Sequence, residues 1–200
     1  MRSLLALSAL LLAASASAQP VLGLKAGLNT AYFTGDDADG TDPRLGFVGG
    51  ALLRFDVTPS VGLQVEALYS QEGAEDLDGT YKLDYVDVPV LLRLGVPVSR
   101  YADAGVYAGP SIGIPVRSTF ESDGGTEVDE ETETDFGVAA GVDFWSGAFG
   151  VDLRYTAGLR DTFSDEIAGL EVAPLDIRNQ AFSVTLGYRF GGPSGPRARY

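Results

Sequence analysis

Phe182-Ser183-Val184-Thr185-Leu186-Gly187-Tyr188-Arg189-Phe190 places apolar or aromatic residues at every even position and small or polar ones at every odd position. Successive side chains of an extended chain leave on opposite sides, so this period of two predicts a strand with one oily and one wet face. Seven earlier runs repeat the pattern. From Val21 to Phe33, Leu22, Leu24, Ala26, Leu28, Thr30 and Tyr32 oppose Gly23, Lys25, Gly27 and Asn29. From Leu45 to Phe55, Phe47, Ala51, Leu53 and Phe55 oppose Gly46, Gly50 and Arg54; from Val61 to Ser70, Val61, Leu63, Val65, Ala67 and Tyr69 oppose Gly62, Gln64, Glu66 and Ser70. The fourth run sets Val86, Val88, Val90, Leu92 and Leu94 against Tyr85, Asp87, Pro89 and Arg93, and the fifth sets Ala102, Ala104, Val106, Ala108 and Ile112 against Asp103, Gly105, Tyr107 and Ser111. In the sixth, Phe136, Val138, Ala140, Val142 and Phe144 oppose Gly137, Gly141 and Asp143; in the seventh, Phe149, Val151, Leu153 and Tyr155 oppose Gly150, Asp152 and Arg154. Pro89 and Pro110 fall inside these runs, where a missing amide donor predicts bulges or local irregularity.

The connections between the eight runs alternate in length. Thr34 to Arg44, Glu72 to Thr80, Pro115 to Asp135 and Arg160 to Arg178 are long, whereas Asp56 to Ser60, Gly95 to Arg100 and Ser146 to Gly147 are short. Long loops at one end and tight turns at the other, with an even strand count, are the pattern of a transmembrane barrel. No mature segment offers 18 consecutive apolar residues, so a membrane crossing by this chain falls to a closed barrel. The N-terminus supports export. Arg2, an apolar run from Leu4 to Ala14 and Ala16-Ser17-Ala18 before Gln19 have the layout of a secretory signal peptide over residues 1–18, too short for a spanning helix. The expected domain is then residues 19–190, an all-β, eight-stranded antiparallel up-and-down transmembrane β-barrel. Gly191 to Tyr200, with Gly191-Gly192-Pro193 and Gly195-Pro196, reads as a short C-terminal tail.

Alternation alone does not tell a membrane barrel from a soluble lipocalin-like one, which points its apolar face inward. Three features favour lipid outside. The polar face is rich in glycine, as the narrow and nearly filled interior of an eight-stranded barrel requires. Its charges balance: Lys25, Arg54, Arg93, Arg154 and Arg189 against Glu66, Asp87, Asp103, Asp143 and Asp152, the expected lumen charge network. The apolar face carries aromatics near strand ends, Tyr32, Tyr69, Phe136 and Phe182 toward the long loops and Phe55, Phe144, Phe149 and Phe190 toward the turns, as interfacial girdles would. The long loops hold 21 of the 28 acidic residues and only four basic ones, a crowding that exposure to water explains.

Gly23-Leu24-Lys25-Ala26-Gly27-Leu28-Asn29, Tyr85-Val86-Asp87-Val88-Pro89-Val90-Leu91-Leu92 and Gly187-Tyr188-Arg189-Phe190 resemble segments of the small outer-membrane β-barrel family often labelled porin-like or PorT-like. Gln64-Val65-Glu66-Ala67-Leu68-Tyr69-Ser70-Gln71, with Gly73 following, is similar to that family's third strand. The resemblance spans nearly all of the mature chain. It implies an eight-stranded barrel of the bacterial outer membrane, usually without a defined activity. The run from Phe182 to Phe190 resembles the closing strand that the barrel-assembly machinery reads by its terminal aromatic, although here Gly191 to Tyr200 follow it.

Composition removes much enzyme chemistry. There is no His and no Cys, hence no imidazole base, no Ser-His or Cys-His pair, no disulfide, no thiolate metal site and no lipidated N-terminal Cys. Carboxylate-only catalysis by Asp87, Asp103, Asp143 and Asp152 is weaker than the reading of structural ion pairs, because cations share their face. No catalytic, cofactor or metal residue is therefore expected. The acidic run Glu121 to Asp135 lacks the Asp-x-Asp-x-Asp-Gly-x5-Glu loop of a calcium site and reads as a solvated, self-repelling segment. With 14 basic against 28 acidic residues, a net charge of −14, nucleic acid is not an expected partner. The expected partners are outer-membrane lipid, the barrel-assembly machinery and an envelope or surface partner, and the expected state is a monomer. The functional expectation is a non-enzymatic integral outer-membrane protein that carries acidic extracellular loops in a structural or interaction role. A narrow porin-like channel or a PorT-like accessory of protein secretion is the alternative, and a soluble carrier stands third.

Overall fold

The computed structural model describes residues 20–34, 42–76, 79–122, 127–129, 134–159, 166–167, 170–171 and 178–190. The expected leader and tail lie outside the described residues. Eight strands form the wall: β1 (Val21–Thr34), β2 (Asp42–Thr58), β3 (Val61–Asp76), β4 (Gly79–Pro97), β5 (Ala102–Ser122), β6 (Asp135–Ser146), β7 (Phe149–Gly158) and β8 (Arg178–Arg189). Each is antiparallel to the next in sequence. β1 also pairs with β8, from Gly23↔Arg189 to Thr34↔Arg178, which closes the sheet and leaves no edge strand in the wall. Outside the wall, Glu127–Asp129 pairs with the outer part of β5, and Glu166–Ile167 pairs with Leu170–Glu171.

The register fixes the barrel's dimensions. Stepping from Val21 across the ladders leads through Arg54, Gln64 and Leu91, then to Gly109, which the unshifted β4–β5 register sets opposite Leu91. From Gly109 the row continues through Ala139, Thr156 and Ala181 and returns to β1 at Ala31, ten residues beyond its start. With a rise of about 3.3 Å per residue and strands about 4.8 Å apart, this stagger over eight strands gives a tilt of about 40° and a backbone radius of roughly 8 Å. At that tilt ten residues climb about 25 Å, the height of the apolar band on membrane barrels.

The faces divide as the alternation requires. Leu24, Phe47, Leu92, Val106, Phe144, Leu153 and Leu186 are exposed on the outside, Leu186 at 67%, whereas Lys25, Arg54, Glu66, Arg154 and Arg189 are buried inside, Arg189 at 2%. A water-soluble protein would have these exposures reversed; here the outer surface is the one that meets hydrocarbon. The expected girdle aromatics Tyr69, Phe136 and Phe182 project outward near the loop end, and Phe149 and Phe190 near the turn end, where Tyr188 packs edge-on against both. At the turn between β6 and β7, Gly147 takes φ +61° as the first of two turn residues, a left-handed conformation that tight hairpins require.

One expectation is met in part and another is corrected. Pro89 and Pro110 bring local irregularity in the pairing but no register shift. Pairing lapses between Pro89↔Ser111 and Leu92↔Ala108, and again between Val65↔Val90 and Leu68↔Asp87, yet resumes in step on both ladders. The shift in β4–β5 lies further out, where Asp84↔Arg117 gives way to Tyr85↔Pro115 and Val116 is the extra residue. There the outer face of the sheet changes from Val86 and Ile114 to Asp84 and Arg117, and the Tyr69 hydroxyl donates to Asp84 Oδ2 at 2.8 Å. The bulge therefore marks where the wall leaves the apolar band. Secondly, the strands outrun the predicted loops: β2 begins at Asp42, β3 continues to Asp76, β4 starts at Gly79 and β5 reaches Ser122.

Candidate functional site

The alternation and the radius together make the lumen the only enclosed polar space that the wall defines, so the site is built from inward side chains. Three tiers follow from the register. At the turn end, Arg93 reaches Asp143 at 2.5 Å and Asp103 at 2.7 Å, and Arg189 reaches Asp103 at 3.2 Å. Arg54 turns to Asp56 at 3.1 Å. The Arg189 guanidinium stacks 4.5 Å from the Trp145 ring, a cation–π contact that closes this mouth with a large side chain. In the middle tier Lys25 lies between Asp152 at 2.9 Å and Glu66 at 3.3 Å, and Arg154 holds Glu66 at 2.8 Å. The Tyr107 hydroxyl donates to Asp152 Oδ2 at 2.7 Å and accepts from Arg154 Nε at 3.2 Å. Gln64 adds a donor to Glu66 at 2.5 Å. The outer tier is neutral or acidic: Asn29 donates to Ser70, Ser70 to Glu72 and Asn179 to Glu72, with Tyr85, Asp87 and Asp135 nearby.

Glycine makes this filling possible. Trp145 lies over Gly150 and Gly187, where added β-carbons would come within 2.4 Å and 2.5 Å of its ring. Its register partner is Gly150, and Gly187 is the next step across. Arg93 likewise lies over Gly105, and Tyr107 over Gly141. Three spaces within the lumen are small, about 20 Å³ near Glu72, about 20 Å³ near Lys25 and Asp152, and about 30 Å³ near Arg54 and Asp103. Each is water-sized.

Of the ten charges read from the sequence, the structure brings nine into these ion pairs. The tenth, Asp87, sits above them in the outer tier. Sequence reasoning missed Asp56, the partner of Arg54, and did not single out Tyr107, Trp145 or Gln64. It also assigned Glu72 and Asp135 to solvated loops, whereas both line the outer lumen. The signal was present in the sequence. Period two carried past Ser70 reaches Glu72, and carried back from Gly137 it reaches Asp135. The inner face is not uniformly polar either, since Val48, Leu52, Leu68, Leu83 and Leu91 are buried there.

The sequence model of the family described as "Outer membrane protein beta-barrel domain" matches residues 3–190. The chain belongs to this family. This outer-membrane barrel accordingly has its place in the bacterial outer membrane, and its exposed apolar wall is the lipid-facing surface. No curated protein matches the sequence. Among solved structures, the chain is similar to the outer membrane protein OprG of Pseudomonas aeruginosa, at 11% identity and a TM-score of 0.52, over 86% of this chain and 97% of that one. It is also similar to Neisserial surface protein A, at 14% identity and 0.49 over 84% and 97%. The attachment invasion locus protein Ail of Yersinia pestis, in complex with the heparin analogue sucrose octasulfate, matches at 16% and 0.45 over 86% and 99%. At these identities the likeness concerns the fold alone.

What the outer-membrane barrel's lumen can do chemically follows from its occupancy. Every cation of the lower two tiers is within 3.3 Å of a carboxylate, so charge is neutralised locally. Such a network stiffens the wall from within; breaking one member strands its partner in a low dielectric.

Proposed function

We propose that this protein is a non-enzymatic outer-membrane barrel whose plugged wall holds acidic loops at the cell surface, serving envelope integrity or contact with a partner. The observation that carries this reading is the lumen itself, crossed by ion pairs in two tiers and left with water-sized voids. A solute path would require Arg93, Arg154 and Trp145 to leave their partners together. The acidity of the segments joining the strands at the outer end supports a role there, since residues 35–41, 77–78, 123–134 and 159–177 hold 15 carboxylates and one basic residue, a balance that repels anionic surfaces and attracts cations or basic partners. Residues 1–18 are proposed to be removed on export, leaving Gln19 as the first residue, and residues 191–200 to form a tail beyond the closing strand, through which the assembly machinery reads Phe190.

Planar-bilayer recording tests the reading. Purified protein inserted at high salt is expected to give no discrete conductance steps. Stable steps, with ion selectivity altered by Arg93→Ala, would establish the narrow-channel alternative instead.

A further inference from the structure

The outer face of the wall is not evenly filled. Near the turn end, Ala104 of β5 is the register partner of Val96 on β4 and of Phe144 on β6, a small side chain between two larger ones. In the next row up, Leu94 pairs with Val106 and Val106 with Val142. All six lie on the lipid-facing side of the barrel, and together with neighbours on β3 and β7 they line a groove of about 710 Å³. That volume is within the range of small-molecule sites, about 300 to 1,000 Å³. The lining is nearly all hydrocarbon, and its one charged residue, Asp143, is held on the lumen side by Arg93 at 2.5 Å. The groove therefore suits an apolar chain and offers nothing to orient a polar ligand.

Its height and the charge beneath it narrow the occupant further. The β4–β5 hairpin closes where the Val98 N–H donates to the Ala102 carbonyl at 2.9 Å. Val106 stands four residues up β5 from that point, about 10 Å at the tilt of the wall, so the groove occupies the turn-end half of an apolar band about 25 Å tall. Short turns face the periplasm in barrels of this kind. At the tip of the same hairpin, Arg100 is exposed. The other described arginines of this end, Arg54, Arg93 and Arg189, are matched by Asp56, Asp143 and Asp103. Among the described residues Arg100 meets no carboxylate, which leaves one unneutralised cation at the foot of the groove. Tyr101 beside it is 62% exposed, an amphipathic ring at the level where headgroups lie.

We propose that this groove holds an acyl chain of an anionic phospholipid from the periplasmic leaflet, whose phosphate meets Arg100. The groove is continuous with a wall that hydrocarbon already covers, so the chain enters from the bilayer and not from water. Lying between the two rows of side chains, it touches protein on more sides than it would on a smooth wall, and those added contacts hold it by dispersion. The guanidinium sets the headgroup preference. It offers paired donors to phosphate oxygens, and an anionic headgroup brings no ammonium to oppose it, as a zwitterionic one does.

The full mature chain, folded in detergent micelles, is incubated with equimolar phosphatidylglycerol and phosphatidylcholine of identical acyl chains, and the lipid it retains is read by native mass spectrometry. Phosphatidylglycerol is expected to be retained several-fold over phosphatidylcholine. Arg100→Gln should bring the two lipids level. Ala104→Phe, which fills the groove, should lower retention of both, whereas Ala26→Phe, at an exposed position on the lipid face of β1, should change neither. Equal retention of the two lipids by the unaltered protein, or a preference that survives Arg100→Gln, overturns the proposal. So does a loss as large in Ala26→Phe as in Ala104→Phe, since the lipid would then be spread over the whole wall. A dimer that Ala104→Phe abolishes overturns it too, because a second copy would be the occupant. Phosphatidylglycerol carrying a photoactivatable group in its acyl chain gives the position directly: labelling concentrated on β4 to β7 supports the groove, and labelling spread evenly over the eight strands refutes it.

Discussion

Glu66→Ala removes the carboxylate on which the middle tier converges. The Glu66 side chain has no solvent exposure, and it meets Lys25 at 3.3 Å, Arg154 at 2.8 Å and the Gln64 amide at 2.5 Å. After truncation Lys25 retains Asp152 at 2.9 Å, but Arg154 keeps only a phenolic oxygen, Tyr107 at 3.2 Å, for its Nε. One guanidinium, 5% exposed, is then stranded in the lumen. Breaking a buried pair in this way costs about 3 to 5 kcal/mol, most of it the desolvation of the surviving charge. With a urea dependence of about 2 kcal/mol per molar, the midpoint should fall by about 2 M. Reversible urea unfolding in lipid vesicles reads this directly, with Glu130→Ala as the comparison, expected to change stability by no more than about 0.5 kcal/mol. The Glu66→Ala/Arg154→Met double variant should be less destabilised than the two single variants summed, because removing both partners leaves no stranded charge. A Glu66→Ala barrel as stable as the Glu130→Ala one would refute the reasoning and mean that water fills the middle tier.

Val90→Arg places a charge on the lipid face near mid-height and should destabilise the barrel in vesicles by about 2 to 4 kcal/mol, with Leu53→Arg behaving alike; little effect from either would mean the faces are reversed. Gly150→Val drives a side chain into Trp145, whose ring lies 2.4 Å from the added β-carbon, so a loss of about 1 to 3 kcal/mol from overpacking is expected. Since Trp145 is the one tryptophan, its fluorescence should shift toward a wetter environment in that variant, and an unchanged spectrum would count against the packing described. After washing membranes at alkaline pH or high salt, the protein should stay in the pellet; recovery as a water-soluble monomer would contradict the orientation of the wall.

The strand count, the alternation of long and short connections and the identity of the two faces were legible in the sequence. All three rest on a period of two that local chain geometry imposes before any strand finds its neighbour. The same period named nine charges that meet inside the barrel, because a face excluded from lipid has only the lumen to enter. What the sequence did not reveal is the stagger. Ten residues of shear decide which charge faces which, bringing Glu66 of β3 to Arg154 of β7 and Arg93 of β4 to Asp143 of β6, and no property of a single strand encodes that sum over eight ladders. The bulge at Val116 was also not read, although the signal stood beside it: Pro115, which brings no amide donor to the ladder, is the last residue paired before the register slips, and it was counted as the start of a loop. Glu72 and Asp135 were read as loop acids because the apolar alternation ends before them, yet the wall continues; hydrogen bonding to neighbouring strands, not lipid burial, holds those outer turns extended and turns both carboxylates inward.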